Sequence, residues 1–299
     1  MSRTHGWTVL VNGAAGSTDR EAVDTAVAVL RGHGDVEVVA TAGRDEVDAV
    51  IAGLGPRTLV VAGGDGSLHL AVERLRALDR ADVPVGLLPL GTGNDLARGV
   101  GIPLDDPAAA AQRLVDGTPR RLDVLVDRTG WACVNALHAG VGADAAAHAE
   151  ALKDRLSAVA YPVGALLAGV TAEGVRTEVI VDGEVVVDDD VLLVVVCNGA
   201  SFGGGTRAAP DADPADGSLD VVVVTATGPV ARASFALDLQ RGVHLDRDDV
   251  HLAVGREVTI RGEGLRYDVD GELSGDDGPA PEDRERTWRV ERRAWTLVH

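Results

Sequence analysis

The chain has 299 residues, 45% of them apolar and only 3% aromatic, so it is long enough for two medium lobes whose cores rest on Val, Leu and Ala. Its formal net charge of −19 excludes nucleic-acid binding by general electrostatics, and sets the chain against an anionic bilayer unless a local basic or apolar patch prevails. The charge is uneven, at −4 over residues 1–122, −16 over 123–280 and +1 over 281–299.

In the first 120 residues, short apolar runs at 7–11, 36–40, 58–62 and 85–89 suit strands buried on both faces, and apolar residues recur at helical spacing over 21–31, 45–54, 68–77 and 107–115. This alternation predicts a parallel α/β sheet with its binding loops at the C-terminal strand ends. Suspicious loops fall at those ends: residues 12–16, Thr41, residues 63–67 and residues 91–95. The third loop, Gly63-Gly64-Asp65-Gly66-Ser67, sets one carboxylate among small residues. Its glycines can take positive φ and let backbone N–H groups approach an anion, and a helix from Ser67 onward favours negative charge at its N-terminus. An ordinary strand-to-helix turn looks the same when it stands alone; four loops on one edge predict a nucleotide crevice.

From about residue 120 the pattern changes to strands, at 122–126, 131–137, 175–181, 191–197, 219–225, 258–261 and 267–269, with one long helix over 152–170. A β-rich, sandwich-like second lobe is expected. The run 157–172 has 16 weakly polar residues and contains Pro162 and Gly164, too short for a membrane span and suited to a buried or cleft-lining helix. Residues 279–283 read as a linker, and 288–298 alternate like one more hairpin. With no basic region leading into an apolar stretch at the N-terminus, no signal peptide and a cytoplasmic location are expected. Cys133 and Cys197 lack metal-type spacing and read as reduced buried thiols, and the scattered histidines give no zinc pattern.

Neither a P-loop nor a standard dinucleotide fingerprint is present. Gly199-Ala200-Ser201-Phe202-Gly203 fits G-x-S-x-G after an apolar strand, but residues 204–210 are a loop and cannot start the helix that a nucleophile elbow requires.

The 63–67 loop, followed by Pro89-Leu90-Gly91-Thr92-Gly93-Asn94-Asp95-Leu96-Ala97, resembles the diacylglycerol kinase catalytic-domain family of bacterial lipid kinases, related to sphingosine kinases. A lone Gly-Gly-Asp-Gly is shared with NAD kinases and phosphofructokinases. Asn135 through Gly140-Val141-Gly142, Cys197-Asn198-Gly199, Gly203-Gly204-Gly205, Pro210, Asp216-Gly217-Ser218-Leu219-Asp220 and Asp270-Gly271-Glu272 then follow in the family's order over nearly the whole chain. The resemblance implies an α/β ATP-binding domain over residues 1–122, rejoined by 281–299, and a β-sandwich acceptor domain over 123–280. It implies ATP and Mg²⁺ as cofactors and phosphoryl transfer to a lipid hydroxyl such as that of diacylglycerol, giving phosphatidic acid. Transient contact with a membrane surface is expected, and a homodimer is left open. Carried over by position, Asn12, Thr41, Gly63, Gly64, Asp65, Gly66, Ser67, Thr92 and Asn94 would cradle ATP, and Asp65 would organise Mg²⁺ or the phosphates. Glu272 would be the general base, Asp123 its partner near the acceptor, and Asp216 a ligand of a structural Mg²⁺.

Plainer readings stand beside these. Asp270-Gly271-Glu272 repeats Asp182-Gly183-Glu184 and both read as hairpin turns; Asp216-Gly217 suits a type I′ turn, Asp123 a solvent-facing strand end, and Ser67 a helix N-cap. The chain departs from the family at Gly13, where proline is usual, at Ser67, where threonine is usual, and after Gly16, where no basic residue follows and Arg20 is the nearest substitute. Two alternatives stay open: the acidity of 123–280 would suit a kinase of a soluble alcohol, and the missing basic residue after Gly16 an inactive nucleotide-binding regulator.

Overall fold

A computed structural model describes residues 5–13, 17–140, 174–273 and 284–299, so the expected helix over 152–170 and the linker over 279–283 lie outside the described residues. The chain divides into two compact units, Met1–Asp123 with Arg292–His299, and Val124–Glu291.

In the first unit, β1 (His5–Asn12), β2 (Gly34–Thr41), β3 (Thr58–Gly63) and β4 (Pro84–Pro89) form a parallel sheet in the order β2-β1-β3-β4. Helices α1 (Ser17–Arg31), α2 (Arg44–Gly53), α3 (Asp65–Ala77) and α5 (Pro107–Asp116), with the short α4 (Asp95–Gly99), connect and flank these strands. The central strands are buried as their apolar runs require: Leu59, Val60, Val85 and Val9 are fully enclosed, with Leu30, Leu75 and Ala111 supplied by the helices. The β2 run departs from the expectation of burial on both faces. It is the edge strand, so none of its residues is buried and Val38 is exposed. The order of the strands makes β1 and β3 a switch point, with the chain leaving β1 in one direction and reaching β3 on the other side.

The chain leaves this unit along β5 (Pro119–Asp127). The second unit has a sheet ordered β12-β11-β10-β7-β14-β15, built from β7 (Ala136–Gly140), β10 (Leu193–Cys197), β11 (Leu219–Val224), β12 (Val250–Gly255), β14 (Tyr267–Val269) and β15 (Glu272–Leu273). A second layer contains β8 (Val175–Val181), β9 (Glu184–Val191) and β13 (Glu257–Gly262), all antiparallel neighbours. Alternate residues of the two layers meet in one core, where Leu137, Val194, Val196 and Val221 pack with Val179, Val258, Ile260 and Trp288. This is the β-sandwich that the strand pattern predicts.

Four details differ from the sequence reading. The strand expected over 131–137 is broken into β6 (Ala132–Cys133) and β7, because the Asp270 carboxylate takes the N–H groups of Val134, Asn135 and Ala136 at 2.6, 2.9 and 3.1 Å. The run 184–191 is an edge strand carrying Asp188, Asp189 and Asp190 on its exposed positions. A further helix, α6 (Pro229–Arg241), has apolar residues on both faces and therefore no clear period; Phe235 and Leu239 bury one side beneath Val222, Val224 and Val250. The chain end is one long strand, β16 (Glu285–Val298), and not a hairpin. Its first part pairs with β13, and Thr296 and Leu297 pair in parallel with β4. Arg293 takes φ +56° between these pairings, which bends one strand where a hairpin would have needed a turn.

Candidate active site

The nucleotide-type residues all gather in the first unit, at the C-terminal end of its sheet. Asn12 ends β1, Thr41 ends β2 and Ser67 lies in the first turn of α3, and the three line one cavity of about 100 Å³ together with Gly43. The switch point between β1 and β3 is thus concave. Gly13 N–H donates to the Thr41 carbonyl at 3.0 Å, which ties the first two loops together.

The helix begins at Asp65, two residues earlier than the sequence indicates, with Gly64 as its N-cap, so Ser67 is a first-turn residue and not the cap. The glycines of this loop are there for close approach. Neither Gly63, Gly64 nor Gly66 has positive φ; Gly64 has φ −94°. A Cβ on Gly64 would lie 2.9 Å from the Gly91 Cα, and one on Gly63 would meet the Ser67 Oγ at 2.5 Å. The loops after β3 and β4 pack glycine against glycine, and Leu90 N–H donates to the Gly63 carbonyl at 3.0 Å. The two loops are thus held against each other beside the α3 N-terminus, whose positive potential favours an anion.

Asn94 is one of the few non-glycine residues with positive φ, at +52°, and is 7% exposed. Its side chain is turned onto its own loop: Oδ1 accepts from Gly91 N–H at 3.0 Å and Nδ2 donates to the Gly91 carbonyl at 2.6 Å. It braces the loop that presents Thr92, which is exposed. The next residue, Asp95, was not singled out by sequence. It is 5% exposed, and its N–H donates to the Asp65 Oδ1 at 2.9 Å. A Cβ on Gly93 would lie 2.7 Å from the Asp65 Oδ2 and 3.5 Å from the Asp95 Oδ2, so both carboxylates converge on the space that this glycine leaves open. The available signal was an acid opening a helix straight after Gly-Thr-Gly-Asn. Such a pair suits a divalent cation, since Mg²⁺ in nucleotide sites takes one or two carboxylates and completes its shell with phosphate oxygens and water.

Asp123, the last residue of the first unit's main segment, is 1% exposed, and its Oδ1 accepts the N–H of Arg293 at 2.6 Å, at the bend of β16. It is not a solvent-facing strand end.

In the second unit, Glu272 is half-buried at the start of β15. The two residues before it form a type I′-like hairpin turn, with φ +51° at Asp270 and +91° at Gly271, and Asp182-Gly183 repeats it with +49° and +87°. Both aspartates also staple a neighbouring segment, Asp270 by its three N–H partners and Asp182 through Arg256 N–H and Glu257 N–H, each at 2.9 Å. Turn geometry does not separate the two copies. Exposure does, because Glu184 is exposed where Glu272 is half-buried.

Asp216 is exposed, and its Oδ1 accepts Ser218 N–H at 2.7 Å across Gly217, whose φ is +84°; Asp216 itself lacks positive φ, so this is an Asx turn and not type I′. Nearby Asp220 is 7% exposed, and burial, followed by the charges of Asp216 and Asp211, pushes its carboxyl up to about 6. Among the described residues no group of three or more His, Cys, Asp or Glu side chains is arranged to enclose a metal. Ser201 is 2% exposed, and the chain after it closes into a loop by reciprocal Phe202–Thr206 hydrogen bonds, with positive φ at Gly203, Gly204 and Gly205. No nucleophile elbow forms. Cys133 and Cys197 are buried free thiols, and burial pushes both up.

A parallel α/β unit with a small crevice at its switch point, joined to a β-sandwich unit, defines a two-domain protein of mixed α/β and β architecture. Residues 6–126 match the diacylglycerol kinase catalytic domain, and residues 135–286 match the YegS C-terminal NAD kinase beta sandwich-like domain. A diacylglycerol kinase of Mycobacterium tuberculosis is 29% identical over 268 residues, covering 85% of this chain and 84% of its own. A probable lipid kinase YegS-like protein of Xanthomonas campestris pv. campestris is 34% identical over 248 residues, covering 77% of each. Among solved structures, a diacylglycerol kinase of Bacillus anthracis strain Sterne superposes with a TM-score of 0.74 at 20% identity, over all of this chain and 98% of that one. The chain belongs to the diacylglycerol and YegS-like lipid kinase family.

Proposed function

We propose that this chain is an ATP- and Mg²⁺-dependent kinase that transfers the γ-phosphate to the hydroxyl of a lipid of the diacylglycerol type, producing a phosphatidic acid. The observation that carries the reading is the convergence of the Asp65 and Asp95 carboxylates on Gly93, beside the N-terminus of α3. Asn12, Thr41 and Ser67 hold the nucleotide in the cavity they line, and residues 63–66 with Thr92 receive its phosphates, the loop being braced by Asn94. Mg²⁺ at Asp65 and Asp95 would offset the negative charge on the phosphate oxygens. Glu272 receives the acceptor's hydroxyl proton as the acceptor oxygen bonds to the γ-phosphorus, and the bond from that phosphorus to the bridging oxygen breaks to release ADP. Asp123 orders the chain through Arg293 and thereby the site. Asp216, with neighbouring backbone carbonyls and water, would hold a second, structural Mg²⁺.

The test is Mg²⁺-dependent transfer of labelled γ-phosphate from ATP to diacylglycerol, sphingoid and ceramide lipids in mixed micelles, with soluble polyols and NAD alongside. Labelled diacylglycerol is the expected result. Label in a soluble alcohol alone, which the −16 charge of residues 123–280 would suit, overturns the lipid acceptor and keeps the kinase; ATP binding with no transfer points to a regulator.

A further inference from the structure

We propose that the outward stripe of α6 is the surface by which this chain rests on the bilayer that carries its acceptor, an inference that builds on the lipid-kinase reading. On a helix lying against a protein, the outward face is normally polar. On α6 the inward face buries Phe235 and Leu239 together with Arg232, yet the outward face carries Val230 at 84% exposure and Leu237 at 52%, seven residues apart on one line with exposed Ala233 between them. Val243 is exposed just past the C-cap at Gly242, and Leu252 and Val254 are exposed on β12, on the same sheet face as Val250, which packs beneath α6. Among the described residues of this unit, six large hydrophobic side chains are exposed; the five between residues 230 and 254 lie here, and only Val185 lies elsewhere. That concentration marks a surface for something apolar.

The charges say which apolar partner. Over 123–280 the chain carries −16, yet α6 itself holds two arginines, Arg232 and Arg241, and one acid, Asp238, the next acids being Asp246, Asp248 and Asp249 in the segment that leads into β12. Asp238 is occupied by Arg247 at 2.8 Å and by Arg241 at 3.7 Å. The outward stripe therefore bears no acid of its own and ends at Arg241, whose side chain is 68% exposed. An anionic bilayer repels most of this unit, but along α6 it meets apolar side chains flanked by a cation, which is the chemistry of an interfacial helix.

The experiment uses the full chain with phosphatidylcholine vesicles, with and without phosphatidylglycerol, carrying long-chain diacylglycerol, and separately with short-chain diacylglycerol dissolved as monomers. Wild-type protein is expected to sediment with the vesicles, and V230D/L237D to bind them at least about tenfold more weakly. The variant should lose activity on vesicle diacylglycerol in parallel, while keeping its melting temperature and its rate on the dissolved substrate. The uncharged V230S/L237S pair should also weaken binding, and R241E should do so only on vesicles with phosphatidylglycerol. Vesicle binding by V230D/L237D equal to wild type overturns the proposal, as does wild-type protein that ignores vesicles. A fall from dimer to monomer in V230D/L237D with vesicle binding intact overturns it in favour of a second copy. Failure of wild-type protein to phosphorylate the dissolved diacylglycerol is a different result, and counts against the lipid-kinase reading itself.

Discussion

Asp95 and Gly91 carry the sharpest predictions about single residues. Asp95 is a buried acid whose N–H donates to Asp65, and its carboxylate faces the same space at Gly93 as the Asp65 carboxylate does. Asp65→Asn and Asp95→Asn are each expected to lower kcat by about 10² or more, and the double variant by little beyond the single ones, because two members of one cation site fail together. Steady-state kinetics over a Mg²⁺ series checks this; independent, multiplying losses would put the two aspartates in separate roles. Glu272→Gln should lower kcat by a similar factor with ATP binding intact, as expected of a base that acts on the acceptor. Gly91→Ala introduces a Cβ that runs into the Gly64 Cα. Neither backbone can yield without moving a loop, so ATP affinity should fall tenfold or more, read by calorimetry, and the fold should survive. Asp95 escaped sequence reading because its meaning depends on a side chain thirty positions away. The carboxylate of Asp65 could be picked out by its glycine frame, but its partner became visible only when the loops after β3 and β4 were brought into contact.

At the scale of elements, the αβ alternation was readable because β1, β3 and β4 are buried on both faces and spell continuous apolar runs. α6 was not readable, since it buries one apolar face and exposes another, and periodicity has nothing to detect. β9 was hidden by its three aspartates, which an edge strand tolerates and a central one would not. The two hairpins led by Asp182 and Asp270 show the limit most clearly: the same tripeptide, the same positive φ pair and a stapling carboxylate occur twice, and they differ in burial, with Asp182 and Glu184 exposed where Asp270 and Glu272 are half-buried. They can be told apart by mutation. Asp270→Asn leaves a neutral acceptor where a charged one holds Val134, Asn135 and Ala136, and should lower stability by about 2 to 3 kcal/mol. Asp182→Asn should cost about as much per lost bond. Turnover at a temperature where both variants are folded should drop only for Asp270→Asn, because Glu272 leaves that turn. Equal turnover in the two would detach the second hairpin from the chemistry.

The whole molecule carries a charge of −19, so its stability is a contest between burial and self-repulsion, and Asp220 is where the contest can be read at one residue. Its carboxyl is pushed up to about 6 by burial and by Asp216 and Asp211, against an ordinary value of 3.8. The folded state therefore binds this proton more tightly than the unfolded chain does. Its contribution to stability is fully present below about pH 4, declines as the pH rises, and is lost above about pH 6. A displacement of that size corresponds to on the order of 2 to 3 kcal/mol. Asp220→Asn keeps the shape without the charge, so denaturant titrations should show a variant that gains on wild type between pH 4 and 6.5 and stays ahead by a constant amount above that. Other carboxylates titrate in the same window, but they cancel in the difference between the two proteins. Magnesium supplies the second axis. If a cation sits at Asp216, its field reaches Asp220 and lowers that carboxyl again, so millimolar Mg²⁺ at pH 7.5 should stabilise wild type more than a sodium salt of equal ionic strength does, and should narrow the advantage of Asp220→Asn. An advantage that is indifferent to Mg²⁺ would leave the repulsion among Asp211, Asp216 and Asp220 standing as a cost of the fold, with no cation to relieve it.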